Sequence, residues 1–217
     1  MSITLIIIII TALVSFAAFT NEKIINDLIF APTQVTHQKQ WYRFFSSGFI
    51  HTDWPHLIFN MFSLFLFGQG MKSNGVESVF TQLFQEKGKL LYLAMYLLAL
   101  FFALLPTYFK NKDNYSYRGL GASGAVSAVI FAGILLFPTM KIGLYFIPPI
   151  IPGFVYGPLY IIGSYYLDKK QADNINHSAH IWGALFGVAF MIVAAALFSN
   201  YPVLKAFMLH VQAYFGM

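Results

Sequence analysis

Three small groups of polar residues sit inside otherwise apolar stretches: His56 with Asn60, Gly121-Ala122-Ser123-Gly124, and His180 followed by Gly183 and Gly187. Serine and histidine are the minimal pair for nucleophilic catalysis, because the hydroxyl attacks only once a base takes its proton. Imidazole, with an ordinary pKa of about 6.5, is the natural base at neutral pH. His56 and Asn60 stand four apart and share a helical face. Both can donate side-chain hydrogen bonds to a developing oxyanion. A serine near a helix N-terminus adds free backbone N–H groups and the positive end of the helix dipole. Each group has a plainer reading. Glycines at Gly121 and Gly124 usually serve helix packing, and a lone histidine such as His180 often bonds a neighbouring helix. His56 and Asn60 can likewise be structural glue. Zinc held by His51, His56, His177 and His180 is disfavoured, because no carboxylate stands at ligand spacing and no His-Glu-x-x-His motif is present. No metal and no cofactor are expected.

These side chains need elements to carry them, and composition says which. The 217 residues are 58% hydrophobic and only 10% charged, against about 25% charged in a soluble domain. A soluble monomer and a disordered chain are both excluded. A membrane-spanning helix takes about 20 apolar residues, so the chain suits one integral membrane domain of six helices, an all-α membrane protein. The absence of cysteine removes disulfides, thiol nucleophiles and iron–sulfur clusters. The formal charge of +5 comes from scattered lysines and arginines. It fits contact with an anionic lipid bilayer, not nucleic acid.

The expected spans are residues 5–19, 54–70, 90–109, 119–137, 142–167 and 177–198. Residues 20–53 form a long first loop lying partly in the membrane interface. There Trp41, Tyr42 and Arg43 read as interfacial anchors. Residues 77–89 read as polar and interfacial. The fifth span is rich in proline, so it should be kinked or partly unwound. Residues 199–217 read as an interfacial tail helix. Ser127 and Ser164 read as packing hydroxyls, and His51 and His177 as structural loop residues.

Consecutive spans alternate direction, so spans two, four and six begin on the same side of the membrane. His56, Ser123 and His180 all lie near those beginnings, at a shared shallow depth on the side of the first loop. Their coincidence favours catalysis over three unrelated structural roles. No Asp or Glu lies within a span as drawn, so a Ser123–His180 dyad is expected, not a triad.

The ordered set His51-x4-His56-x3-Asn60, Gly121-Ala122-Ser123-Gly124 and Ala179-His180-x2-Gly183-x3-Gly187 resembles the rhomboid intramembrane serine proteases over residues 5–198. The resemblance implies a compact six-helix bundle with the first loop half-embedded beside it. The nucleophile would be Ser123 and the catalytic histidine His180. His56, Asn60 and the Ser123 N–H would form the oxyanion hole. Tyr42-Arg43 loosely matches the family's loop motif, with Trp41 one residue early. Some members carry, four residues after the serine, an aromatic that packs on the catalytic histidine. Here that position is Ser127, so a neighbour of Trp182 or a hydrogen bond must fix the imidazole.

The implied activity is hydrolysis of peptide bonds in or near transmembrane segments of other membrane proteins. Bacterial relatives usually open the site to the non-cytoplasmic face of the inner membrane. The slight excess of Lys and Arg on the first-loop side points the other way by the positive-inside rule. The fifth helix would serve as a lateral gate and residues 168–176 as a cap. A catalytically silent, rhomboid-like client binder is the main alternative. A small transporter is the lesser one, since repeat symmetry and intramembrane charge are not seen.

Overall fold

The structure is a computed structural model that describes residues 1–72, 74–144, 147–170 and 175–217. Helix α1 (Ile3–Phe19) opens the chain. Its first turn is held by Glu77, whose carboxylate accepts from Ser2 Oγ (2.6 Å), Ile3 N (2.7 Å), Thr4 N (2.9 Å) and Thr4 Oγ1 (2.7 Å). A carboxylate there satisfies amides that have no partner within the helix and complements the dipole. Glu77 itself is buried at the start of α6 (Val76–Phe84). Glu77 is thus the buried polar exception in the segment 77–89, where Thr81, Gln82, Gln85, Glu86, Lys87 and Lys89 are exposed. The long-range contact with the chain's first residues neutralises the cost of burying the carboxylate.

The first loop is folded. It forms α2 (Glu22–Leu28), α3 (Pro32–Gln38), α4 (Arg43–Ser46) and a tight turn at Ser47–Phe49. Phe30, Val35 and Phe44 bury themselves against Tyr108 in a small core of their own. Phe30 also exchanges two backbone hydrogen bonds with Gly119 (2.9 and 3.0 Å), which pins the loop to the approach to the serine segment.

Helix α5 (Trp54–Leu64) starts at Asp53, whose side chain accepts from His56 N (2.8 Å). Pro55 occupies the first turn, where its missing N–H is harmless. The helix widens into a π-type turn at Phe65–Gln69 and stops at Gly70, φ +76°. Helices α7 (Gly88–Asn111), α8 (Ser123–Leu136), α9 (Gly153–Lys170), α10 (His177–Phe198) and α11 (Val203–Tyr214) follow. Helix α8 is apolar all round and buried almost throughout, the pattern of a central helix. It packs between α7 and α10.

Two of the expected spans differ in form. The fourth begins at Ser123, not Gly119, because Gly119 is held in an antiparallel bridge to Phe30 and Gly121 turns the chain at φ +111°. The fifth begins only at Gly153. The stretch before it is an antiparallel hairpin, β1 (Lys141–Leu144) and β2 (Ile147–Pro152), with Ile142 opposite Ile151. Pro148, Pro149 and Pro152 lack the N–H a helix requires, and an edge strand tolerates them. The chain is thus not purely helical. The cap expected over 168–176 includes 171–174, which lie outside the described residues.

Among the described residues, two stretches are long and apolar enough to cross a bilayer, Val76–Asn111 and His177–Phe198. Ile3–Phe19 and Ser123–Leu136 are shorter apolar helices. Helix α5 is brief before its wide turn, and α9 is diluted by tyrosines and lysines, so length and apolarity alone mark neither.

Candidate active site

Ser123 is the first residue of α8 and is half-buried. The segment leading to it is clamped by backbone and imidazole. Gly121 N–H donates to Ser47 O (2.9 Å), and Ala122 N–H donates to His51 Nε2 (3.4 Å). His51 Nδ1 meets Ser15 Oγ (3.0 Å), and that hydroxyl donates to Phe49 O (3.0 Å). The serine proton is thus committed, so Nδ1 carries the imidazole hydrogen and Nε2 is the acceptor. Burial, then the neighbouring His56, pushes His51 down to about 3 against the weaker pull of Asp53. His51 is therefore a neutral structural strut between α1 and the serine segment.

Gly121 is required as glycine twice over. Its φ of +111° suits no side chain, and a Cβ there would lie 2.7 Å from His56 Cε1 and 2.9 Å from His56 Nε2. The His56 ring thus lies directly over the Gly121 backbone, edge-on to His51 (centroids 4.8 Å, 72°). His56 Nδ1 meets Thr52 Oγ1 (3.1 Å), whose own hydrogen goes to Asp53 Oδ2 (2.9 Å). Nδ1 is therefore the protonated nitrogen, and Nε2, on the Gly121 side, donates only from the doubly protonated ring. Asn60 is buried one turn further along, and its amide donates to His56 O (2.9 Å).

The histidine side is equally fixed. Asn176 caps α10 by accepting from Ala179 N (3.0 Å). The Asn176 amide also donates to Thr107 Oγ1 and to Tyr117 Oη (both 3.1 Å). Burial, then the charge of Asp168, pushes that phenol up to about 12. Asp168 Oδ1 accepts from Ser178 N (3.1 Å). His180 therefore leaves a helix end tied to α7, α9 and the segment before α8.

Helices α8 and α10 meet without side chains between them. A Cβ on Gly183 would sit 2.0 Å from Gly124 O, and one on Gly187 would sit 2.1 Å from Ala128 O. Gly124 in turn faces Ala103 on α7 and Ala179 O on α10. His180, Gly183 and Gly187 share one helical face, so the face carrying His180 is the one turned to α8. The residues after Ser123 and beside His180 are in direct contact.

Tyr160 of α9 completes the arrangement. Its ring stacks on His180 (centroids 6.4 Å, 25°), and its hydroxyl meets Ser127 Oγ (3.3 Å). Ser127 lies one turn beyond Ser123 on the same face of α8. His177 touches His180 edge-on (5.8 Å, 82°). Trp182 is exposed. Tyr160 and Asn176 escape a sequence reading because their partners are distant in the chain. The only hint is Ser127, a small residue that leaves room for a ring.

Arg43 lies outside this cluster. It is buried and donates to Asn26 O (2.9 Å), Ile29 O (2.7 Å) and Gln40 Oε1 (2.5 Å), all within the first loop. Its work is to order that loop, whose turn at Ser47 then holds Gly121. Among the described residues no group of three or more His, Asp or Glu converges as metal ligands would.

The Rhomboid domain family matches residues 38–197 of the chain, a segment that contains every residue of this cluster except Ser15. RHOMBOID-like protein 12, mitochondrial, from Arabidopsis thaliana is 32% identical over 148 residues, covering 64% of this chain and 42% of that protein. The chain therefore spans less than half the length of that relative. On the match across most of its length, the chain belongs to the rhomboid family of membrane proteins.

Proposed function

We propose that the chain is an intramembrane serine endopeptidase of six spans, which cleaves peptide bonds in or beside transmembrane segments of other membrane proteins. The observation that carries this reading is the route Ser127–Tyr160–His180. A single ring touches the face of α8 that bears Ser123 and also stacks on the His180 imidazole. In this reading Ser123 and His180 act at the N-terminal ends of α8 and α10, and His56 and Asn60 act from the first two turns of α5.

In the proposed reaction His180 takes the Ser123 proton while Oγ attacks the scissile carbonyl. The new oxyanion is met by the Ser123 N–H, by the second amide hydrogen of Asn60 and by His56 in its protonated form. The amine leaves with the proton from His180, and an acyl-enzyme remains. Water then attacks the ester with His180 again as base, which releases the acid and restores Ser123. A helical substrate hides its carbonyls in hydrogen bonds, so it must unwind locally before attack. Substrates with helix-breaking residues near the scissile bond suit this requirement. We assign the site to the non-cytoplasmic face of the membrane by analogy with bacterial members of the family.

The test is covalent. A fluorophosphonate should label wild-type protein at Ser123 and fail to label Ser123→Ala or His180→Ala. A well-folded wild type that resists the probe would favour the silent client binder instead.

A further inference from the structure

The imidazole of a Ser–His dyad must be held in one orientation, because the proton it takes and gives lies along a fixed line. In a triad a carboxylate does this, and a ring packed against the imidazole restricts it as well. Tyr160 is the aromatic ring that faces His180 from a neighbouring helix. It is itself immobilised on several sides: its hydroxyl meets Ser127 of α8 (3.3 Å), Phe131 of α8 lies against it (centroids 5.6 Å), and Tyr156 stacks on it from the preceding turn (5.7 Å, 26°). A fixed ring parallel to an imidazole limits rotation of the imidazole out of its plane. The π-face also attracts the imidazolium that forms when His180 takes the proton. That gain exists in the tetrahedral intermediate and not in the resting site, so it raises kcat and leaves substrate binding alone.

We infer that Tyr160, reaching in from α9, is a positioning residue for His180, occupying the space that the small Ser127 leaves open. This rests on the endopeptidase reading of the same site. It also makes the site depend on α9 being seated. Only Gly153, Gly157 and Ser164 of that helix are buried, whereas Leu159, Ile162, Tyr165 and Tyr166 face outward. Outward movement of this thinly packed helix removes Tyr160 from His180, so alignment of the imidazole and the position of α9 are one variable.

The test compares Tyr160→Leu with Tyr160→Phe on a membrane-anchored reporter. Tyr160→Leu should lower kcat about 10- to 100-fold with KM changed by less than about twofold, as expected when an aligned group swings free. Tyr160→Phe keeps the ring and should stay within about threefold of wild-type kcat. A Tyr160→Leu enzyme at wild-type kcat, or a Tyr160→Phe enzyme as impaired as Tyr160→Leu, overturns the inference. Should Tyr160→Leu not fold, Tyr160→Met fills the same space without an aromatic ring and carries the same expectation. An independent readout needs no activity: in wild-type protein a nuclear Overhauser effect should connect the Tyr160 and His180 ring protons, and its absence overturns the inference. Failure of wild type to label with a fluorophosphonate sinks the proteolytic reading. A labelled wild type with an unimpaired Tyr160→Leu sinks only the role of Tyr160.

Discussion

Asn60 spends one amide hydrogen on the His56 carbonyl. In the proposed reaction its second meets the oxyanion and needs no protonation to act, since His56 Nε2 donates only from the imidazolium. Asn60→Ala should therefore reduce kcat by about 10²- to 10³-fold, the usual cost of losing one oxyanion donor. Steady-state cleavage of a reporter measures it, and an unchanged kcat removes Asn60 from the site. His51 makes a different prediction. Its folded pKa of about 3 lies below the ordinary histidine value, so protons bind the unfolded chain first. The stability it contributes is complete above about pH 6.5 and drains away as the pH falls toward about 3. Unfolding in detergent at pH 7.5 and pH 5 should show a larger loss for wild type than for His51→Gln, and equal losses would exclude His51 as the cause. The pairing of His56 with Asn60 and the serine between glycines were legible because helical spacing is local. Gly121's φ of +111° and the committed proton on Thr52 were not, because they arise from contacts between α5 and the segment before α8.

Three helices bring the site together, and the closest approach is backbone against backbone. Gly183→Ala places a methyl group about where Gly124 O now lies, and α10 must shift. Overpacking of this kind costs about 1–3 kcal/mol. We expect a lower thermal midpoint together with slower fluorophosphonate labelling of Ser123. A variant with wild-type stability and labelling would show that α8 and α10 do not need this contact. Element boundaries were legible where apolarity and caps coincide. The span at 177–198 matches α10 because Asn176 caps it and Ser199 ends it. The fifth span was misdrawn because Ile-Pro-Pro-Ile-Ile-Pro is as apolar as a helix, and periodicity cannot separate the two. The prolines, read as a kink, instead terminate helix formation until Gly153. The burial of Glu77 was not legible, because its partners, Ser2 to Thr4, lie more than seventy residues away.

Across the whole molecule, the first loop, the hairpin and the tail surround a bundle centred on α8. The serine segment is braced from three directions: α1 through Ser15 and His51, the first loop through Ser47 and Phe30, and α5 through His56. That bracing fits a site whose geometry is set before substrate arrives, with binding energy left for unwinding the substrate helix. The decisive measurement is cleavage of a single-span membrane reporter, with a helix-breaking residue near one end of its span, by wild type and by Ser123→Ala in proteoliposomes. Wild type should cut the reporter within or beside its span, and Ser123→Ala should leave it whole while folding as wild type does. Equal cleavage by both proteins, or none by a folded wild type across a panel of such reporters, would contradict a serine nucleophile at this position.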